Sequence, residues 1–421
     1  MADLSTCPPL TRNSVIAAHA LIKDHIHRTP VLTNATLTRL ASTPQTKEAL
    51  VGTEWEGQEP ARPVIRLWFK CENLQRVGAF KVRGAFHALK RLEGEMEKEG
   101  KKGWKDKGVV THSSGNHAQA LSLAAKEMGI PAHIVMPTIS TPSKIAATRS
   151  YGANIRFSGS TSVEREAMVE EVQKETGATL VPPYDHPDIM LGQGTLGLEL
   201  QEQVERMIEV AKEGQVKCSF AAEGEGKEGK GKGKGLNAII APCGGGGMLS
   251  GTALSCLGTG IHVFGAEPSH QGADDCTRAF RSGTGTRIET VKSLTIADGL
   301  RTPVGKFPWK VIFEMGAVRG MFSVSEEQIR RAMRLVFERL KVVVEPSACV
   351  GLAVVLWDEG FRGLVQREGG EEGWDVGVVF SGGNVGVEGL GALFAGTGEG
   401  GEREEGKVGL DGKRVVENVA G

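Results

Sequence analysis

Apolar residues recur along the 421-residue chain in two rhythms. Positions 15, 16, 18, 22 and 26 fall on helical spacing, which predicts an amphipathic helix over 11–27. Arg28-Thr29-Pro30 ends it, because the residue before a proline disfavours helical backbone. The run 64–70 (VIRLWFK) reads as a strand, 86–99 as a helix and 100–107 as a Gly/Lys loop. From Gly108 short apolar runs alternate with amphipathic segments. Strands are predicted at 109–112, 132–136 and 153–157, and helices at 116–128, 142–151, 162–176 and 195–212. Further strands fall at 236–241, 262–266 and 376–380. Ser325-Glu326-Glu327-Gln328 has the form of a capping box and opens a helix with apolar Ile329, Ala332, Met333, Val336 and Leu340. Strand–helix alternation predicts βαβ units on parallel sheets, so the fold class is α/β.

Several stretches interrupt this pattern. Residues 41–63 are polar and Pro-rich and read as an exposed insertion, and 221–235 as a low-complexity one. The formal G-x-G-x-x-G at Gly224, Gly226 and Gly229 lacks a strand before it and a helix after it, so it is not a dinucleotide site. Gly226–Lys232 has phosphate-loop spacing but no hydroxyl residue after the lysine. From Gly391 the chain is Gly- and charge-rich, and 391–421 reads as a disordered tail.

Composition narrows the function classes. A net charge of −1 gives no reason to expect nucleic acid or an anionic membrane as partner. No apolar stretch approaches the roughly 20 residues that span a bilayer. No secretory signal is visible, so a cytoplasmic protein is expected. The seven cysteines are widely spaced with no C-x-x-C pair, which points to free thiols and no zinc cluster.

Four stretches carry chemistry. Lys81 lies between Phe80 and Val82, with small residues at 78, 79, 84 and 85. Packed this way, a lysine loses its proton more easily, and the neutral amine is a nucleophile. Gly244, Gly245, Gly246 and Gly247 lie between a buried strand and a helix, where open backbone N–H groups and the helix dipole bind a phosphate. The run 111–118 (THSSGNHA) lies at a strand-to-helix turn, on the sheet edge where α/β proteins bind ligands, and suits a small carboxylate. Ser381-Gly382-Gly383-Asn384 ends the last strand, where a serine can meet a buried ring nitrogen.

Together these stretches resemble the fold-type II pyridoxal-phosphate enzymes of the serine/threonine dehydratase and serine racemase family. The matching segments are FKCENLQRVGAFKVRGA (69–85), THSSGNHAQA (111–120), GQGT (192–195), PCGGGGMLSG (242–251), FGAEPS (264–269), TIADGL (295–300) and SGGNV (381–385). The resemblance implies a two-domain fold like that of the tryptophan synthase β chain. Residues 1–107 and 183–390 would form a large cofactor-binding domain, and 108–182 a small domain closing on substrate. It also implies a homodimer.

By the same resemblance Lys81 would hold pyridoxal 5'-phosphate and take the Cα proton. Gly244 to Gly247 would cradle the phosphate, Asn116 would meet the ring hydroxyl, Phe80 would pack on the ring and Ser381 would face the ring nitrogen. Ser113, Ser114, Asn116, His117 and Arg165 would hold an amino-acid substrate. The implied reaction is β-elimination, turning L-serine or L-threonine into a 2-oxo acid and ammonia. Serine racemisation and threo-3-hydroxyaspartate ammonia-lyase chemistry are the alternatives, with Ser114 as the second acid/base. Thr302 and Tyr184 depart from the racemase-like pattern, which has serine and asparagine at these places. Glu267, Asp275 and the carbonyl of Ala273 match a divalent-cation site suited to Mg²⁺ or Ca²⁺. This loop is about two residues longer than the usual pattern, which leaves Asp274 as an alternative ligand.

Overall fold

The computed structural model of the protein describes residues 4–212 and 235–395. The low-complexity stretch up to Lys234, and the tail beyond residue 395, lie outside the described residues.

Ten strands form two sheets. They are β1 (Val31–Leu32), β2 (Ile65–Cys71), β3 (Val109–His112), β4 (Ala132–Pro137), β5 (Asn154–Ser158), β6 (Thr179–Leu180), β7 (Ala238–Pro242), β8 (His262–Pro268), β9 (Gly320–Val324) and β10 (Trp374–Phe380). The larger sheet has the order β1-β2-β10-β7-β8-β9, and only the β1–β2 pairing is antiparallel. The smaller sheet, β5-β4-β3-β6, is parallel throughout. Every residue of β7 and β10 is buried. Both faces of these strands are covered, which is why they read as unbroken apolar runs.

Register brings the chemistry to one edge. Phe380 pairs with Cys71 and Pro242 with Ala266, so β2, β10, β7 and β8 end together. Their carboxyl ends lead into the segment 72–81, the loop 381–384 and the glycine loop 243–247. In the smaller sheet β3 leads directly into 113–116.

The helix holding Lys81 begins earlier than its apolar periodicity indicates, running Lys81–Lys98 rather than 86–99. Its first turn is fixed by tertiary contacts. A Cβ on Gly84 would lie 2.4 Å from Gln193 Nε2, and one on Gly192 2.7 Å from the Arg83 carbonyl. Glycines at 84 and 192 therefore let this helix touch the helix Pro187–Lys212 backbone to backbone. GQGT (192–195) thus lies inside a helix that starts well before 195. The predicted loop 100–107 contains a short helix, Trp104–Lys107. The helix expected over 11–27 runs Arg12–Ile22 and tightens into a 3₁₀ turn to His25.

The insertion 41–63 is largely exposed but pinned: the Ala61 amide donates to Glu359 Oε2 at 2.7 Å, and Leu50 is buried. The expected tail does not begin at Gly391. A helix, Val387–Phe394, runs through that position and belongs to a separate small unit starting at Gly386. Among the described residues no helix is long and apolar enough to cross a membrane.

Four buried charges lie beneath the lysine helix. Arg83 donates to Glu72 Oε2 at 2.7 Å and to Glu199 Oε1 at 2.8 Å, and Lys70 donates to Glu199 Oε2 at 2.7 Å. Burial pushes the Glu199 carboxyl up, and Arg83 and Lys70 more than reverse this, to about 2.

Candidate active site

Lys81 sits at the first position of its helix, two residues before the buried Arg83 anchor. The chain arrives there through Val77 and Gly78 at positive φ, 56° and 68°. Positive φ is unusual for a β-branched residue and marks a backbone held by its surroundings. The restraint is visible: the Val77 carbonyl accepts from Asn384 Nδ2 at 2.7 Å, and the Gly383 amide donates to the Gly78 carbonyl at 2.9 Å. An antiparallel bridge between Ala79 and Gly382 continues the pairing, and the Phe80 amide donates to the Ser381 carbonyl at 3.1 Å. The lysine segment and the Ser381 loop therefore act as one piece.

The Lys81 amine donates to the Pro183 carbonyl at 2.7 Å and lies 5.2 Å from the centre of the Phe80 ring. Burial alone pushes its pKa down to about 8. A substantial fraction of neutral amine thus exists near physiological pH, which a Schiff-base lysine needs.

Across the cleft, β3 ends in His112, and Ser113 to Asn116 follow, all half-buried. The Ser113 amide donates to the Val135 carbonyl at 3.1 Å, and its Oγ accepts from the Gly115 amide at 3.3 Å. Ser114 makes no side-chain hydrogen bond among the described residues. Asn116 opens the next helix; its Nδ2 donates to Glu345 Oε1 at 2.9 Å and its Oδ1 accepts from Asn384 Nδ2 at 2.8 Å. His117 is buried, 3.3 Å from the Val181 carbonyl through Nε2, and its Nδ1 has no partner. Burial first, then the Lys81 charge, push its pKa down to about 3, so the ring is neutral. Arg165, on the helix Ser162–Thr176, faces this loop closely enough to lower the pKa of His112 after burial has done so.

The glycine loop is closely crowded. A Cβ on Gly244 would lie 2.9 Å from Leu300 Cα, on Gly245 2.3 Å from the Tyr184 ring, on Gly246 2.8 Å from Pro308 Cβ, and on Gly247 3.1 Å from the Tyr184 carbonyl. Among the described residues the amides of Gly244, Gly245 and Gly246 donate to no other group. They precede the N-terminus of the helix Gly247–Cys256, so open N–H groups and the helix dipole converge there. Ser381 is buried at the end of β10. A crowded cradle of bare amides, a buried amine of lowered pKa, and a buried serine hydroxyl together suit a phosphorylated pyridine aldehyde.

Two further residues contribute to the site. Glu345 lies between Asn116 and the Asn384 amide, which donates to its Oε2 at 3.2 Å. Burial, then the Asp298 charge, raise its pKa to about 8. Asp298 in turn pairs with Lys144 at 2.7 Å, joining the helix Pro142–Ser150 beside the smaller sheet to the loop beside the glycines. Nothing local marks Glu345, because every partner is remote in sequence; Asp298 lies in the matched segment TIADGL (295–300), which assigns it no role.

Glu267 and Asp275 come together behind the glycine loop. Glu267 Oε2 accepts from the Thr277 amide and Oγ1, each at 2.7 Å. Asp275 Oδ2 accepts from the Val304 amide at 3.0 Å, and its buried Oδ1 has no partner. Burial and then the Asp275 charge raise the pKa of Glu267, so the two carboxyls lie close enough to interact. Ala273 is buried nearby in sequence. Asp274 is turned away to Arg278, at 2.9 Å. The donor set fits a hard cation through Asp275, not Asp274. Next to Glu267 lie two thiols: ligand atoms of Cys243, Glu267 and Cys276 are all within 4.8 Å of one another.

Comparison with known proteins points to the same cofactor. A family model described as pyridoxal-phosphate dependent enzyme matches residues 56–382. The chain is 36% identical over 394 residues to an L-threo-3-hydroxyaspartate ammonia-lyase of Saccharomyces cerevisiae, covering 93% of this chain and 98% of that one. It is 36% identical over 387 residues to a serine racemase of Dictyostelium discoideum, covering 91% and 98%. The structure of maize serine racemase superposes with a TM-score of 0.71 at 35% identity, covering 90% of this chain and 95% of that one.

Proposed function

The chain belongs to the pyridoxal-phosphate dependent enzyme family, in its ammonia-lyase and racemase branch, and from that premise we propose that it removes water from small 3-hydroxy amino acids, with L-serine and L-threonine as substrates. The products are a 2-oxo acid and ammonia. What supports this reading is a difference between the two residues expected to carry the proton. Lys81 is a buried amine of lowered pKa. Ser114, expected on the opposite face of the substrate, has a hydroxyl with no side-chain partner among the described residues to take up or return its proton. Racemisation needs a proton carrier on both faces; elimination needs one.

Bound here, pyridoxal 5'-phosphate would supply an electron sink for the charge left when the Cα proton is removed. The chain's residues do the rest. Lys81 Nζ takes the Cα proton. The amides of Gly244 to Gly247 would hold the phosphate, and Phe80 and Ser381 would hold the ring, Ser381 offering a neutral hydroxyl where a carboxylate would strengthen the sink. Ser113, Ser114, Asn116 and neutral His117 orient the substrate carboxylate. Glu267, Asp275 and the Ala273 carbonyl hold Mg²⁺ or Ca²⁺. Residues 108–182 move as the closing part, with Lys144–Asp298 as a contact of the closed form. A cytoplasmic homodimer completes the reading.

A second reading is favoured by Arg165. Its charge is felt at His112 and, after burial, Asp185, Arg287 and Asp275, at Tyr184. A substrate with a second carboxylate, such as threo-3-hydroxyaspartate, would pair with it, and the yeast relative carries that activity in its name.

The deciding experiment supplies L-serine, L-threonine and L-threo-3-hydroxyaspartate to the holoenzyme and follows 2-oxo acid and D-amino acid in parallel. Elimination faster than inversion on L-serine or L-threonine is expected. D-serine accumulating from L-serine with no 2-oxo acid from any of the three overturns the reading.

A further inference from the structure

Away from the cleft, the half-buried Cys7 of the N-terminal segment meets two side chains at the start of the helix Pro187–Lys212. Cys7 Sγ lies 3.9 Å from His186 Nε2 and 3.8 Å from Asp188 Oδ2. His186 Nδ1 lies 4.0 Å from Asp188 Oδ2. A thiol, an imidazole and a carboxylate thus face one point, their ligand atoms within 4.8 Å of one another. Zinc–ligand bonds of about 2.0–2.3 Å in tetrahedral geometry set ligand edges at roughly 3.4–3.6 Å. The two edges from the sulfur need to close by only a few tenths of an ångström, and the third already lies within 4.8 Å.

The two oxygens of Asp188 divide their work. Oδ1 faces Arg91 Nε at 3.4 Å, while Oδ2 faces the thiol and the imidazole. Arg91 is itself engaged by Glu95 Oε1 at 2.9 Å, which offsets its repulsion of a cation. His186 and Asp188 are buried, and the side of the group formed by Cys7 is reachable from solvent.

We propose that Cys7, His186 and Asp188 form a binding site for a thiophilic divalent cation of the zinc class, with water in the fourth position. On binding, the Cys7 thiol releases its proton to solvent and the sulfur ligates as thiolate. Neutral His186 ligates through Nε2, and its single proton passes by way of solvent from Nε2 to Nδ1. This gives up the bond that Nδ1 now accepts from the Asp188 amide, at 3.2 Å. The ion ties the N-terminal segment to the chain three residues beyond Pro183, whose carbonyl receives the Lys81 amine. The site does not depend on which amino acid the enzyme turns over.

The test titrates holoenzyme with Cd²⁺ and reads the sulfur-to-cadmium charge-transfer absorption in the ultraviolet, with bound metal counted by equilibrium dialysis. Cys7→Ser is expected to abolish the charge-transfer signal of one equivalent. Loss of an outer-shell partner typically weakens a metal by 10–100-fold, so His186→Asn, which removes a direct ligand, should weaken it by about tenfold or more. Cys276→Ser, which disrupts the other thiol group, should leave that equivalent in place. Wild-type far-UV dichroism and thermal midpoint in the Cys7 and His186 variants show that the loss is not unfolding. A signal unchanged in Cys7→Ser, or one lost only in Cys276→Ser, overturns the proposal.

Discussion

Asn116 Nδ2 and Glu345 Oε1 meet at 2.9 Å across a chain separation of 229 residues. The bond joins the loop that follows β3 to the N-cap of the helix Pro346–Trp357. Glu345 is also bonded to the Asn384 amide, so one buried carboxyl holds two of the loops that form the site.

Its ionisation has a measurable sign. The folded pKa, about 8, lies above the ordinary value of 4.5, so the native state keeps a proton that the unfolded chain loses. The contribution to stability is present below about pH 4.5 and is lost as pH rises through about 8. Glu345→Gln mimics the protonated form and should be more stable than wild type at pH 9, with little difference at pH 5. Thermal midpoints of the two proteins across that range check this. Glu345→Ala leaves Asn116 and the Asn384 amide short of an acceptor and should cost about 1–3 kcal/mol.

Lys81→Ala should abolish the visible absorbance of covalently held cofactor and reduce turnover by at least roughly 10²–10⁴-fold, the usual worth of a positioned base. The neutral amine is the reactive form. Attachment of added cofactor to protein stripped of it should therefore speed up as pH rises through about 8, as followed by absorbance. A rate flat between pH 6.5 and 9.5 would contradict burial as the cause of the lowered pKa.

Gly245→Ala drives a methyl group to 2.3 Å from the Tyr184 ring. Overpacking of this kind costs typically about 1–3 kcal/mol, which here should appear as weaker cofactor retention in dialysis. The double variant with Tyr184→Ala should recover part of the loss. If it does not, the methyl group acts on the phosphate itself and not through the ring.

Divalent cation should raise the thermal midpoint of wild type, because it relieves two buried carboxyls, Glu267 raised by burial and then by Asp275, and Asp275 raised chiefly by burial. Asp275→Asn removes the repulsion and one ligand together. Without added metal it should match or exceed wild type in stability, and it should no longer respond to Mg²⁺ or Ca²⁺. Differential scanning with and without chelator separates these outcomes.

The sequence made legible whatever is built from neighbouring residues. Lys81 among small residues, and four glycines between a buried strand and a helix, are local patterns with local causes. The start of the lysine helix was less clear, since backbone contact between Gly84 and Gly192 decides it, and no periodicity reports on a partner 108 positions away. Glu345 carries no local signal, and Asp298 stands in the segment 295–300 without an assigned role until the fold brings its charge to bear on Glu345. Tyr184 was read only as a departure from a pattern, although its ring lies directly over Gly245. The absence of C-x-x-C spacing spoke against a metal cluster, yet Cys7 reaches its partners across about 180 residues.

The four charges under the lysine helix sum to zero: Lys70 and Arg83 against Glu72 and Glu199. Burial is the sole influence resolved on the Lys81 amine, although Arg83 is only two residues away. The quartet is thus electrically silent where the chemistry happens, and the anchor can be strong without tuning the reactive group. A one-sided change ends that silence. Glu199→Gln leaves a net positive charge beneath the helix, which loosens the anchor and drives the Lys81 amine further toward its neutral form. A mutation outside the cleft would then move the pH profile of the enzyme, and its origin would be a field and not a contact.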